Sequence, residues 1–352
     1  MVSVDTFSGD FYDAGIPPVI EEAKQISRAH RVDYLGDTHG NYEGFLSNMK
    51  KLWLIDARGN WKGGDRILVM LGDIYWDRNR GSIPTALHLE KLISQGAHIE
   101  MICWNHDEVV VDYFDDVHSP DHSIRKNLIV YWLEGSEIMD QIIGIQEFTE
   151  FKKRGTSKMW IQAIRGSSPD TILSRMRGLK RWTKVLTNMC RFQIGKIIDD
   201  TLFIHTDPVD RMYHVFDVYD WDIERINAVF RGYLVQTLLK WEAPSPALFR
   251  DAMEIRQTFL STTNRRINNK TWQPLLSSGY AHEFKTRFGV NRIIHGHSNH
   301  KWAQTMTLWG LEITSADNSS FKWGDYEPWN TYISAGSILT NGHRIAPKSN
   351  SY

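Results

Sequence analysis

A layered α/β fold is predicted by two features of the sequence. Five short β-prone runs each end in a polar residue of the Asp, Asn or His type, and stretches with helical periodicity separate them. In layered α/β folds, sites form where the carboxyl ends of strands meet. Five such endings that together offer Asp, His, Asp, Asn, His and His are hard to explain as unrelated loops. A chain of 352 residues with 41% apolar content is long enough to bury a large core.

The elements follow in order. Residues 1–30 read as an irregular arm and one amphipathic helix, started by Pro17-Pro18 and lined by Val19, Ile20, Ala23 and Ile26. The first strand, 32–35, ends at Asp37 and His39. Residues two apart on an extended chain point the same way, so these two project together. Gly36 and Gly40 flank them and leave room for a close approach to the backbone. A helix over 42–52 and a turn-rich excursion over 56–65 come next. The second strand, 67–71, ends in Gly72-Asp73, with Asp77-Arg78 shortly after. A helix over 84–95 leads to a third strand, 99–103, ending in Trp104-Asn105-His106-Asp107. The fourth run, 201–204, ends in His205-Thr206-Asp207, and the fifth, 292–294, in His295-Gly296-His297. Between them, residues 108–200 and 209–290 read as mostly helical inserts; in the second, Ile223, Ile226, Val229 and Phe230 recur at helix spacing. Both inserts leave from the strand-end side, where they would cap a site. From Leu308 onward the pattern returns to β-like alternation.

Composition narrows the function. The net charge of −1 gives no global field for nucleic acid or a membrane surface. No apolar run reaches the length of a membrane span. The first ten residues contain no apolar signal segment, and Cys103 and Cys190 are the only cysteines; both points predict a cytoplasmic protein whose cysteines serve packing. The near-neutral total hides two opposed blocks. Residues 100–150 hold 12 Asp/Glu against 2 Lys/Arg, and residues 151–191 hold 11 Lys/Arg against Asp170 alone. The basic block is either a solvated helical face or a positive wall for an anionic substrate.

The ordered set Gly36-Asp37-x-His39-Gly40, Gly72-Asp73…Asp77-Arg78, Asn105-His106-Asp107, His205 and Gly296-His297 resembles the calcineurin-like metallophosphoesterase superfamily. It is most similar to the bacterial members of the phosphoprotein phosphatase branch. The resemblance implies a four-layer αββα sandwich over 31–352, a single domain with the helical inserts, preceded by the 1–30 arm. It also implies two divalent metal ions, with Mn²⁺ favoured and Fe or Zn²⁺ as alternatives for mixed N/O ligands. Asp37 and His39 would hold the first ion, Asp73 would bridge both, and Asn105, His205 and His297 would complete the second. The implied reaction is in-line attack on a phosphomonoester by a metal-bridging hydroxide. His106 would protonate the leaving alkoxide, Asp77 would orient its ring, and Arg78 would grip the phosphoryl oxygens.

The chain departs from the family pattern at several points. One extra residue separates Asp73 from Asp77, which puts the reach of Arg78 in question and makes Arg80 a fallback. Asn79 and Trp104 stand where the family has glycine, Thr206-Asp207 replaces glycines after His205, and Asn299 replaces a further ligand His of the wider superfamily. His295 is expected to be structural. Arg191 and Arg211 are candidates for a second phosphate-binding arginine. The expected partner is a phosphorylated substrate, first of all a phosphoserine or phosphothreonine protein. The alternatives are a hydrolase of nucleotides, dinucleoside polyphosphates or RNA 5′ ends, with Trp160 and Trp182 stacking on a base, and a metal-binding pseudophosphatase. No membrane partner and no specific DNA binding are expected.

Overall fold

The computed structural model describes residues 31–75, 82–103, 180–240, 242–260, 276–297, 304–316, 335–339 and 344–345. The expected helix at the chain's start and most of the 108–200 segment lie outside these residues. In chain order the elements are β1 (Arg31–Leu35), α1 (Tyr42–Lys51), β2 (Ile67–Met70), α2 (Ser82–Ser94), β3 (His98–Met101), α3 (Lys180–Met189), β4 (Gly195–Ile198) and β5 (Thr201–Ile204). Then come α4 (Met212–Val218), α5 (Ile223–Leu234), which runs on into a π-helical turn Val235–Lys240, α6 (Pro246–Phe259) and α7 (Ser278–Arg287). The chain closes with β6 (Arg292–His295), β7 (Gln304–Leu308), β8 (Leu311–Ser315), β9 (Ala335–Leu339) and β10 (Arg344–Ile345).

The strands form two five-stranded sheets, in the orders β10-β9-β1-β2-β3 and β4-β5-β6-β8-β7. The strands that carry candidate ligands pair in parallel within each sheet, β1 with β2 and β5 with β6. Their carboxyl ends therefore leave each sheet on one side.

Period-two alternation divides each strand between two apolar layers. Val32, Tyr34, Ile67, Val69 and Leu71 of the first sheet meet Phe203 and Ile294 of the second in one buried cluster, the filling between the sheets. The alternate residues Leu35, Leu68, Met70, Leu202, Ile204 and Ile293 belong instead to the larger cluster that contains the buried faces of the helices. Sheets covered on both faces read as near-continuous apolar runs, as 67–71 does. The two sheets are also joined at the end of β3, where Cys103 N–H donates to the Gln193 carbonyl at 2.7 Å and Gln193 N–H to the Met101 carbonyl at 2.9 Å.

Local signals start the helices. Asn41 caps α1 by accepting from Gly44 N–H at 2.9 Å. Asp222 caps α5 by accepting from Glu224 N–H at 2.9 Å, and Ser245 with Pro246 opens α6. The helical reading of 209–290 holds for the described residues, and Ile223, Ile226 and Phe230 are buried. The reading of 108–200 as helical needs one correction. After α3 the chain turns into β4, a four-residue strand antiparallel to β5. Four residues are too few to show a period of two, and the strand opens on a glycine. The expected packing role of the cysteines fits the structure, with Cys103 buried and the Cys190 thiol pushed up to about 12 by burial. No helix among the described residues is long and apolar enough to cross a membrane.

Asn227 on α5 fastens the helix to the second sheet. Its Oδ1 accepts from Ile194 N–H at 2.9 Å, and its amide donates to the Gly195 carbonyl at 2.8 Å. The residue is fully buried. Asn227→Ala strands these backbone groups and is expected to cost about 2–3 kcal/mol in denaturant unfolding.

His88 on α2 is buried against Tyr42, whose hydroxyl lies 3.0 Å from Nδ1. Desolvation, with Lys91 nearby, lowers its pKa below 6.5. The unfolded chain therefore takes up this proton first, so the contribution of His88 is complete above about pH 6.5 and is lost as pH falls below it. His88→Phe is expected to flatten the decline in unfolding free energy between about pH 6.5 and pH 5, measured by urea titration at several pH values.

Candidate metal centre

The ends of four strands supply the five predicted ligands that fall among the described residues. Asp37 and His39 follow β1, Asp73 follows β2, His205 follows β5, and His297 follows β6. All five are buried. Asp37, Asp73 and His205 each offer a ligand atom, and these atoms lie within 4.8 Å of one another. Nε2 of His39 stands 3.1 Å from Asp73 Oδ2 and 3.9 Å from Asp37 Oδ2. Nδ1 of His205 is 3.9 Å from Asp37 Oδ1. His297 joins through its backbone, with N–H donating to Asp37 Oδ2 at 3.3 Å, and its ring meets that of His205 edge-on at 5.3 Å between centroids. The family resemblance places Asp37 on one ion and His205 on the other. The three-residue group spans both assignments, with Asp73 in common.

The backbone is bent to bring these side chains together. His39, Asp73 and His297 adopt left-handed φ values of 46°, 47° and 63°. Such conformations cost non-glycine residues of order 1–3 kcal/mol each and persist only where the surroundings over-determine them. Here the surroundings are specific. The carbonyl of Asp73 accepts from the N–H groups of Thr38 at 3.1 Å and His39 at 2.6 Å. The Thr38 hydroxyl donates to the Ile74 carbonyl at 2.9 Å. The middle residue of Asp-x-His thus stitches β1's end to β2's, a role that a single threonine in sequence does not announce.

Two glycines make room. A Cβ on Gly72, whose φ is 107°, would overlap the His205 ring. A Cβ on Gly296 would overlap Asp37 Oδ1 and sit 3.2 Å from His205 Cε1. Beside Gly36 and Gly40, which the sequence singles out, Gly72 and Gly296 on the partner strands are thus also points of close approach.

This donor set fits divalent cations. It combines two carboxylates with imidazoles, the mixed N/O chemistry suited to Mn²⁺, Fe or Zn²⁺. Nδ1 of His205 donates to the Leu71 carbonyl, which fixes the tautomer and leaves Nε2 as the lone-pair atom, the usual arrangement of a ligating histidine.

Other predicted residues are placed or not as follows. Asn105, His106, Asp77 and Arg78, together with Trp104, Asn79, Arg80 and Asn299, lie outside the described residues, as does the 151–179 part of the basic block. Arg191 points a guanidinium nitrogen to 3.8 Å from Glu90. Arg211 precedes α4 and has its pKa lowered by desolvation. His295 is buried, with Nε2 3.2 Å from Asp207 Oδ1.

No family model and no curated protein matches the sequence. Solved structures do match the fold. A point mutant of a cold-active protein tyrosine phosphatase superposes with a TM-score of 0.50 at 16% identity, covering 83% of this chain and 72% of that one. The cold-active protein-tyrosine phosphatase of a psychrophilic Shewanella species gives 0.49 at 16% identity with the same coverage. A protein serine/threonine phosphatase from Saccharomyces cerevisiae gives 0.40 at 12% identity, covering 92% and 83%. The chain shares the overall fold of the first of these structures, and its two packed five-stranded sheets with helices outside are the layered α/β sandwich that the sequence motifs imply.

The crowding at Gly296 yields a sharp expectation. Gly296→Ala should fold, because the residue follows the last position of β6, yet lose Mn²⁺ binding by at least about tenfold, as read by isothermal titration calorimetry with circular dichroism as the folding control.

Proposed function

We propose that the chain hydrolyses phosphomonoesters using two divalent metal ions, and that its substrates are phosphoserine and phosphothreonine side chains of proteins. The observation that carries this reading is the convergence of Asp37, Asp73 and His205 from three strands of two sheets, at the positions where the ordered motifs require ligands. In this reading Asp37 and His39 would hold one ion, Asn105, His205 and His297 would hold the other, and Asp73 would serve both. Bound there, the cations supply Lewis acidity toward the phosphoryl oxygens and lower the pKa of a coordinated water.

The protein's own side chains do the rest. Arg78 holds two phosphoryl oxygens in its planar fork and fixes the phosphorus in line. His106 carries a proton to the leaving serine or threonine oxygen, and Asp77 keeps its ring in the required tautomer. The neutral ligands Asn105, His205 and His297 keep the negative charge of the site low, so that a dianionic phosphoester is not repelled. The residues of the 151–191 block add positive charge for an anionic substrate.

Hydrolysis of p-nitrophenyl phosphate tests the reading. Activity with Mn²⁺ is expected to vanish with EDTA and to fall by at least about 10²-fold in Asp73→Asn. Equal rates under all three conditions overturn it. The substrate class is read separately with phosphoserine, phosphothreonine and phosphotyrosine peptides and with nucleotides. A preference for nucleotides with steep salt dependence would replace the protein-phosphatase assignment and leave the two-metal reading intact.

A further inference from the structure

The parallel ladder between β5 and β6 ends at the pair Phe203 and Ile294. The residues that matter for the site, His205 and His297, both lie beyond it. Past that point each strand end presents two histidine or acidic side chains at i and i+2, namely His205 and Asp207 on one and His295 and His297 on the other. His205 and His297 bring their rings together at 5.3 Å. Asp207 and His295 meet each other, Oδ1 to Nε2 at 3.2 Å, and both side chains are almost wholly buried. The second nitrogen of His295 is also engaged, with Nδ1 2.8 Å from the Gly296 carbonyl. That carbonyl belongs to the residue immediately before His297, the one with φ of 63°.

We infer that Asp207 and His295 are positioning residues for the two histidine ligands, a side-chain clamp that replaces the backbone ladder where it stops. Asp207 holds the His295 ring, the ring holds the Gly296 carbonyl, and the Gly296–His297 turn is thereby set against the end of β5. A neighbouring residue anchors the other side, since the Thr206 hydroxyl donates to the Phe259 carbonyl at 2.9 Å, at the end of α6. The peptide between His205 and Asp207 is thus fixed from both directions. Burying a carboxylate and an imidazole costs more than an apolar pair of the same size, so their presence at this junction has a geometric use. This inference rests on the metal-centre reading of the site and concerns only residues that touch no ion.

The test is Mn²⁺ titration by calorimetry, paired with the visible absorption of the Co²⁺-substituted protein. In Asp207→Ala, one of the two ions is expected to bind about 10- to 100-fold more weakly, the other to keep its native affinity, and the Co²⁺ bands to shift. Asp207→Asn keeps the shape and an acceptor oxygen, and is expected to restore most of the affinity and the native bands. A folded Asp207→Ala that binds both ions as tightly as the native protein overturns the inference while leaving the metal centre standing. Should Asp207→Ala not fold, Asp207→Ser takes its place with the same two outcomes. A native protein that binds no Mn²⁺ overturns the metal centre and the clamp together.

Discussion

Two buried carboxylates from different strands of one sheet, Asp37 and Asp73, face the same small volume as histidines from the other sheet. Like charges in a low-dielectric interior repel strongly, and an isolated buried carboxylate would take up a proton instead. The surrounding structure answers this in several ways. Amide groups are turned toward the acidic residues, as at His297 N–H on Asp37. Histidine nitrogens stand within 4 Å of both carboxylates. Glycines at 72 and 296 remove the side chains that would hold the strand ends apart. The parallel pairing of β1 with β2 and of β5 with β6, the face-to-face stacking of the sheets and the left-handed turns all follow from making that one meeting possible.

The strand ends were legible in the sequence because ligand-type residues rarely close apolar runs five times in one chain. The residue types and their order were enough to predict the fold and to nominate Asp37, His39, Asp73, His205 and His297. The backbone that delivers them was not legible. Propensity assigns left-handed φ to glycine, yet His39, Asp73 and His297 adopt it, because hydrogen bonds from the opposite strand outweigh the local preference. β4 was hidden for a different reason, since its four residues are held by β5 and by Asn227 rather than by any pattern of their own. The Asp207–His295 contact joins residues far apart in sequence, and neither residue alone distinguishes a ligand from a support.

The helical insert between His205 and β6 is not an independent attachment. Its helix α6 returns to the site through the Thr206–Phe259 bond. Its aromatic filling, in which Phe216 stacks on Trp221 and meets Phe259, Phe284 and Phe288 edge-on, packs α4, α6 and α7 together. Helices packed together in this way and bonded to the residue after a predicted ligand would hold that ligand in place. That is the arrangement expected of a site whose chemistry requires fixed geometry and whose specificity lies in the surrounding elements.

The contact between Asp37 and His297 closes a loop of 260 residues. In the two-ion reading, with Asp37 on one ion, His297 on the other and Asp73 shared, the bound ions would act as a removable cross-link between the ends of β1 and β6. Because such a ligand binds only the folded chain, its stabilisation grows with the logarithm of its concentration, reaching about 2.7 kcal/mol at a hundredfold excess over Kd. On that reading, resistance to heat or protease would be a property of the medium as well as of the sequence, rising and falling with the ions around the protein.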